Sequence, residues 1–260
     1  KQDLRNFSLW SGVEVPRLAL DRTLKLLPYV YAGIDDDEEH IVNAGVDFKT
    51  ALTGEVSLVG SINPDFRNIE QDVLSLDFSN FEKLARDSRP FFIEGNSFIR
   101  TGMDQRLFAS QRISSFDFGA KAYGNLSGRT QFGALTTIDI SERQATVASV
   151  SHATSDTEQY GFAYVGLQQP GLDNNALQIA YDKRIGDTLY YARGQVTDDD
   201  VEQTGSRTNS GFVYQAGGLD INAEYVQVTP NFFPRIGFSP EQDLRGINGS
   251  FDYTQSFVKG

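Results

Sequence analysis

The chain has 260 residues, a net charge of −12, no cysteine and an aromatic fraction of 12%, with 19 Phe, 11 Tyr and 24 Gly. The acidic balance argues against a nucleic-acid binder, which shows a basic face, and the missing thiols exclude a disulfide framework and a thiolate metal site. The length suits one large all-β domain, and the Phe, Tyr and Gly content favours strands and turns over helices.

Residues 1–25 form an irregular lead-in that holds the one tryptophan, Trp10, a candidate membrane-interface anchor or a residue of the junction to another domain. The chain opens on Lys1 without a signal peptide, so a processed or cut N-terminus is expected. From Leu26 the punctuation becomes regular. LLPYVYAG (26–33) is a strand, and DDDEEH (35–40) an acidic turn. VNAGVDFKT (42–50) sets Ala44, Val46 and Phe48 against Asp47 and Lys49, and GEVSLVGSIN (54–63) repeats the alternation. Period two is the mark of a sheet with unlike faces.

After an interruption at about 63–100 the pattern returns in DFGAKAYG (117–124), RTQFGALTTID (129–139), ATVASVSH (145–152) and QYGFAYVGL (159–167). NALQIAYDK (175–183), DTLYYARGQV (187–196), TNSGFVYQA (208–216), LDINAEYVQV (219–228) and INGSFDYTQSF (247–257) complete twelve candidate strands. NLSG, RIG and GG read as hairpin connections. Strands of soluble sheets cluster near about five or six residues, whereas a strand crossing a bilayer needs roughly 9 to 11. Leu177, Ile179 and Tyr181 alternate with Gln178, Ala180 and Asp182; Phe251, Tyr253 and Phe257 alternate with Asp252, Thr254 and Ser256. A sandwich buries its apolar face, whereas a membrane barrel turns that face to lipid and the polar one to a wet lumen. Strand length and tyrosine-rich strand ends favour the barrel.

The interruption reads as a short strand, DVLSLDF (72–78), a helix, SNFEKLARDS (79–88), and RPFFIEG (89–95), where Pro90 stops the helix and Phe91 and Phe92 are extended. Asp65, Glu70, Asp72, Asp77, Glu82, Asp87 and Glu94 could supply a glycosidase-like carboxylate pair. The plainer reading is that Arg67, Arg86, Arg89 and Arg100 pair with these acids and fix a folded excursion that narrows or plugs the lumen.

LLPYV (26–30), NPDF (63–66) with Glu70 and Asp72, NFEKLARDSRPFFIEG (80–95), RLFASQRI (106–113) and VTPNFFPRIGF (228–238) occur in this order. Together they resemble a bacterial family of unassigned function in which a carbohydrate-binding-family-9-like domain precedes an outer-membrane β-barrel. Ile93 stands where that family more usually has Leu. The resemblance implies that this chain is the barrel part: an all-β antiparallel transmembrane-type barrel with twelve strands in view, incomplete, preceded by the lead-in and an upstream sugar-binding-like module. It implies no catalytic residue. The motif residues Asn63, Pro64, Asp65, Phe66, Glu70, Asp72, Arg89, Pro90, Phe91, Phe92, Glu94 and Gly95 are expected to serve structure or the lumen.

His40 and His152 lack metal-binding spacing, and Asp198–Asp200 and the acidic turn lack the EF-hand pattern, so solvated loops are expected there. No nucleophile elbow and no phosphate-binding glycine loop occurs. The expectation is an outer-membrane barrel in contact with lipid that passes or handles a solute, a saccharide or other small polar molecule, with no cofactor, no metal and no nucleic-acid partner. Asp47, Asp117 and Asp182 would line the lumen and favour cations or neutral polar solutes over anions. A soluble all-β carbohydrate-binding module or hydrolase, and a structural anchor for the upstream module, are the alternatives; enzymatic activity is left open.

Overall fold

In a computed structural model, residues 22–34, 40–64, 87–104, 106–140, 142–239 and 241–254 are described below. The alternating segments form twelve strands: β1 (Lys25–Ile34), β2 (His40–Ala51), β3 (Val56–Ile62), β4 (Phe118–Ser127), β5 (Thr130–Asp139), β6 (Arg143–Ser155), β7 (Glu158–Gln169), β8 (Leu172–Ile185), β9 (Thr188–Asp199), β10 (Gly205–Ala216), β11 (Leu219–Val228) and β12 (Leu244–Tyr253). Each pairs antiparallel with its sequence neighbours, in the order β1 to β12, in a single sheet. β1 and β12 do not pair with each other, so the sheet is not closed among the described residues. The fold class read from the sequence is the one observed, an all-β antiparallel meander with an inserted excursion.

The strands outlast their sequence signal. β8 has 14 residues and β6 has 13, because a polar residue inside a ladder still pairs its backbone. The NLSG segment is mostly strand: β4 runs to Ser127 through a bulge, and the turn is Gly128–Arg129. Gly217 and Gly218 both take positive φ, as a tight turn matched to the twist of its strands requires.

The two ends of the sheet differ. One carries the two-residue turns Gly128–Arg129, Asp156–Thr157, Gly186–Asp187 and Gly217–Gly218 and the short connection 52–55. The other carries the insertion 63–117 and the loop 229–243 beside the short connections 140–142, 170–171 and 200–204. The insertion replaces a hairpin turn and is closed at its base, where Asn63 N donates to Asp117 O at 2.6 Å.

Alternation separates the faces as the sequence suggests. Leu177 and Ile179 on β8 point outward and are exposed, while Ala176, Gln178 and Ala180 between them are buried. Ile179 is 65% exposed, whereas β12, at the edge of the sheet, is exposed at every position, Phe251 included. Register makes the outer face continuous: Phe162 lies opposite Ile179, Leu177 lies between Tyr164 and Val196, and Ile221 faces Phe251. Tyr160 stacks near Tyr181, with ring centroids 5.0 Å apart, and Tyr190 near Phe212, both at the tight-turn end. The inner face carries Lys121, Thr137, Ser149, Gln178, Gln195, Thr197, Arg207 and Asn209, all buried.

Parts of the insertion differ from expectation. Phe91 and Phe92 are not extended; Pro90–Ile93 is a helical turn, α1, with Pro90 at its first position, where a missing N–H costs nothing. A second turn, α2 (Asn96–Ile99), follows at once. The expected strand 72–78 and nearly all of the expected helix 79–88 lie outside the described residues, as do Trp10, Phe257 and most of the acidic turn.

Candidate functional site on the inner face

The site is built from the segment 87–116 and the loop 229–239 laid across the inner face. Its start is fixed by Arg89. The guanidinium forks onto Asp87, at 2.9 and 2.7 Å, donates to the carbonyl oxygens of Ser110 and Ile113, and lies 4.2 Å from the Phe92 ring centroid. A nearly buried guanidinium is tolerable only with its donors satisfied in this way. Burial pushes the Asp87 carboxyl up, but hydrogen bonds from Arg89 and Ser110 outweigh it and the net shift is downward. Phe91, Phe92 and Phe116 form an edge-and-tilt trio with centroids 5.0 to 5.9 Å apart.

The wall then grips the segment along its length. Lys121 of β4, fully buried, donates to the carbonyl oxygens of Phe91 and Glu94. The Glu94 carboxylate accepts from Lys49 of β2 and from Tyr123 Oη of β4, the latter at 2.9 Å. Burial raises the Glu94 pKa, but the hydrogen bonds from Lys49 and Tyr123 lower it further, for a net depression. Gly95 has φ +63°, and a Cβ there would meet the Tyr123 ring at 2.6 Å, so the chain turns where only glycine fits. α2 rests on Gly133 of β5, where a Cβ would strike the backbone at Ile99 at 2.5 Å. Ser149 of β6 donates to Ile99 O at 2.7 Å. Gln178 of β8 donates to Gly102 O at 2.6 Å and accepts from Asp104 N at 2.9 Å. Arg207 of β10 donates to Asp104 Oδ2 at 3.1 Å. One segment thus touches strands from β2 to β10, which requires the sheet to curl around it.

The loop 229–239 completes the filling. Arg235 pairs with Asp199 of β9, at 2.8 Å to Oδ1, and Asn174 of β8 donates to Phe233 O at 2.9 Å. Ala109 N donates to Ile236 O at 2.7 Å, and Phe238 N to Arg106 O at 2.8 Å. The RLFASQRI and VTPNFFPRIGF blocks, far apart in sequence, are therefore zipped together. Leu107, Phe108, Ile113, Phe232 and Ile236 share one core with Val147, Val165 and Val226 of the wall.

Of the sequence-predicted residues, Asn63 closes the base of the insertion and donates to Asn43 and to Ala44 O, and Pro64 is beside it. Arg89, Pro90, Phe91, Phe92, Glu94 and Gly95 lie together at the β2–β4 side of the wall. Asp65, Phe66, Glu70 and Asp72, and also Arg67 and Arg86, lie outside the described residues. Arg100 donates to Asn96 Oδ1, and among the described residues no carboxylate pairs with it. Asp199 is not in a solvated loop: it is buried and ion-paired, a residue at the inward phase of β9. Asp182 is ion-paired to Arg193 at 2.6 Å, Asp47 accepts from Ser61, and Asp117 accepts from Ile140 N, so the inner face is not a row of free acids. His152 meets Thr130 Oγ1 on the sheet. Among the described residues no cluster of ligating side chains is arranged for a metal. Of the wall partners, Gln178 was read only as part of a polar face, and Lys121, Tyr123, Asn174 and Arg207 escaped the sequence reading: Lys121 stands between Ala120 and Ala122, but Asn174 and Arg207 have polar neighbours on both sides and leave no alternation to mark them.

Fold and site together define an antiparallel meander with many apolar side chains on its exterior and an interior, filled in part by its own insertion, where buried polar side chains such as Lys121, Gln178 and Arg207 stand beside an apolar core. A family described as "Domain of unknown function (DUF5916)" matches residues 22–132, from β1 through the insertion to β5. A search of curated proteins returns no match. Among solved structures, the chain is similar to Pseudomonas aeruginosa OpdO, at 14% identity and TM-score 0.42, over 79% of this chain and 59% of that one. It is also similar to P. aeruginosa OccK3 (OpdO), at 12% identity and TM-score 0.44, over 86% and 68%, and to OmpT, an outer membrane protein of Vibrio cholerae, at 14% and 0.33, over 90% and 95%. The chain therefore spans under two thirds of the OpdO chain. These likenesses are of broad outline.

Proposed function

We propose that this chain is the main part of a bacterial outer-membrane β-barrel that passes a small polar solute, with the insertion constricting the lumen. The observation that carries this is the inversion of faces. Leu177, Ile179 and Phe162 on neighbouring strands, and Ile247 and Phe251 on β12, are exposed on the outer face, while Lys121, Gln178, Gln195, Arg207 and Asn209 are buried inside beside the apolar core of the insertion. In water such a surface would be a large aggregation hazard; against hydrocarbon it is the low-energy arrangement. The tyrosines near the tight turns suit an interfacial girdle, and both long connections, 63–117 and 229–243, leave from the opposite end of the sheet.

Open backbone edges are costly within a membrane, so β1 and β12 would be joined through further strands or through each other. The lead-in and an upstream sugar-binding-like module belong to the same reading, with a saccharide or similar polar molecule as solute and with the motif residues 63–95 holding the constriction in place. A second reading, an anchor with a filled lumen, is favoured by the core of Phe91, Phe92, Phe108 and Phe232 beneath the insertion.

The test is extraction and gel mobility. The full-length protein should leave the membrane fraction only with detergent and should migrate differently before and after boiling. Recovery as a monodisperse species in plain buffer would contradict the membrane reading. Planar-bilayer conductance separates passage from anchor.

A further inference from the structure

We infer that the layer just beyond the insertion, made by Asp182, Tyr191, Arg193, Asn209 and Glu224, selects the solute, and that it favours uncharged polar molecules over simple ions. This rests on the passage reading above. Along each wall strand the inner face changes from covered to open at this level. On β9, Asp199, Thr197 and Gln195 are buried, and Arg193 and Tyr191 are the first accessible inward residues. On β8 the change falls between Ala180 and Asp182, and on β11 between Val226 and Glu224. Whatever meets the insertion from the tight-turn side meets Asp182, Tyr191, Arg193 and Glu224 first, with Asn209 buried behind Glu224.

They are also one connected strip. Asp182 pairs with Arg193 at 2.6 Å, and the Arg193 guanidinium lies 5.7 Å from the centroid of the Tyr191 ring. Gly211, opposite Tyr191 on β10, has no side chain, and the tyrosine hydroxyl crosses that space toward Glu224. Glu224 accepts from Asn209 Nδ2 at 2.7 Å. Asn209 accepts from Arg207, which reaches Asp104 of the insertion. Acid and base alternate along the strip, each within hydrogen-bond reach of a partner or one residue from it. The field of such a row largely cancels a short distance away, so it gives little preference to either sign of free ion. A hydroxylated solute gains more: guanidinium and amide N–H groups donate to it, carboxylates accept from it, and the Tyr191 ring offers an apolar face.

Reconstitution of the full-length protein in planar bilayers under a salt gradient tests this. The unaltered protein should be nearly unselective between potassium and chloride, and liposomes holding it should swell faster in a neutral polyol than in an isosmotic salt. R193Q leaves Asp182 unopposed and should move the permeability ratio toward cations by about twofold or more, and E224Q, which removes a carboxylate from the same layer, should move it toward anions by a similar factor. R193K should restore the unaltered ratio. A strongly selective unaltered channel overturns the inference without any variant. So do R193Q and E224Q proteins that keep heat-modifiable mobility and an unchanged ratio. A full-length protein that gives no conductance overturns the passage reading itself.

Discussion

Glu94 stands in the turn after α1 and accepts from Lys49 on one strand and Tyr123 on another, while its own carbonyl oxygen takes Lys121. Its carboxyl is displaced downward on balance, and so is that of Asp87 beside Arg89. A carboxyl with a depressed folded pKa adds stability that is complete above its unfolded value, about 4, and is lost as pH falls through the folded one. The folded barrel should therefore lose resistance to urea on acidification from about pH 5 downward. E94Q should be less stable than the unaltered protein at neutral pH and show a shallower acid dependence. The urea midpoint of the heat-modifiable band, followed against pH, checks this; parallel profiles would mean that Glu94 holds nothing. Glu94 was legible as a motif residue but its role was not, because its partners lie 45 residues before it and 29 after it.

At the scale of elements, the strands were readable because each has unlike faces, and period two survives in sequence as alternation. The one-turn helices were not. RPFFIEG has two adjacent aromatics and no helical period, and its shape is set by contacts: Pro90 at the first helical position, Lys121 on the carbonyl oxygens of Phe91 and Glu94, and Gly95 turned against Tyr123. Such grips come from the wall strands and leave no local signal in the segment they hold. Gly133 is the sharpest case, a glycine inside a strand whose reason is a helix packed on it. Gly133→Val should lift α2 from β5 and break the Ser149 contact to Ile99 O while sparing the strand ladder. Single-channel conductance and protease sensitivity between residues 87 and 116 should both change, with heat-modifiable mobility kept. An unaltered conductance and cleavage pattern would show that α2 does not depend on this contact.

Across the whole molecule the account depends on which face meets hydrocarbon. Sequence periodicity could not decide this, because a sandwich and a membrane barrel alternate alike. Burial separates them: Phe162, Leu177 and Ile179 are exposed while Ala163, Gln178 and Ala180 beside them are buried, and no second sheet or helix covers the exposed side among the described residues. The chain contains no cysteine, so single labels can be placed without background. The most direct measurement is spin-label accessibility in bilayers at cysteines replacing residues 250 to 253 of β12. Labels at 251 and 253 should be open to oxygen dissolved in lipid and shielded from a water-soluble nickel chelate, and labels at 250 and 252 should show the reverse. Equal access to the chelate at all four positions, or lipid exposure at 250 and 252, would contradict the account.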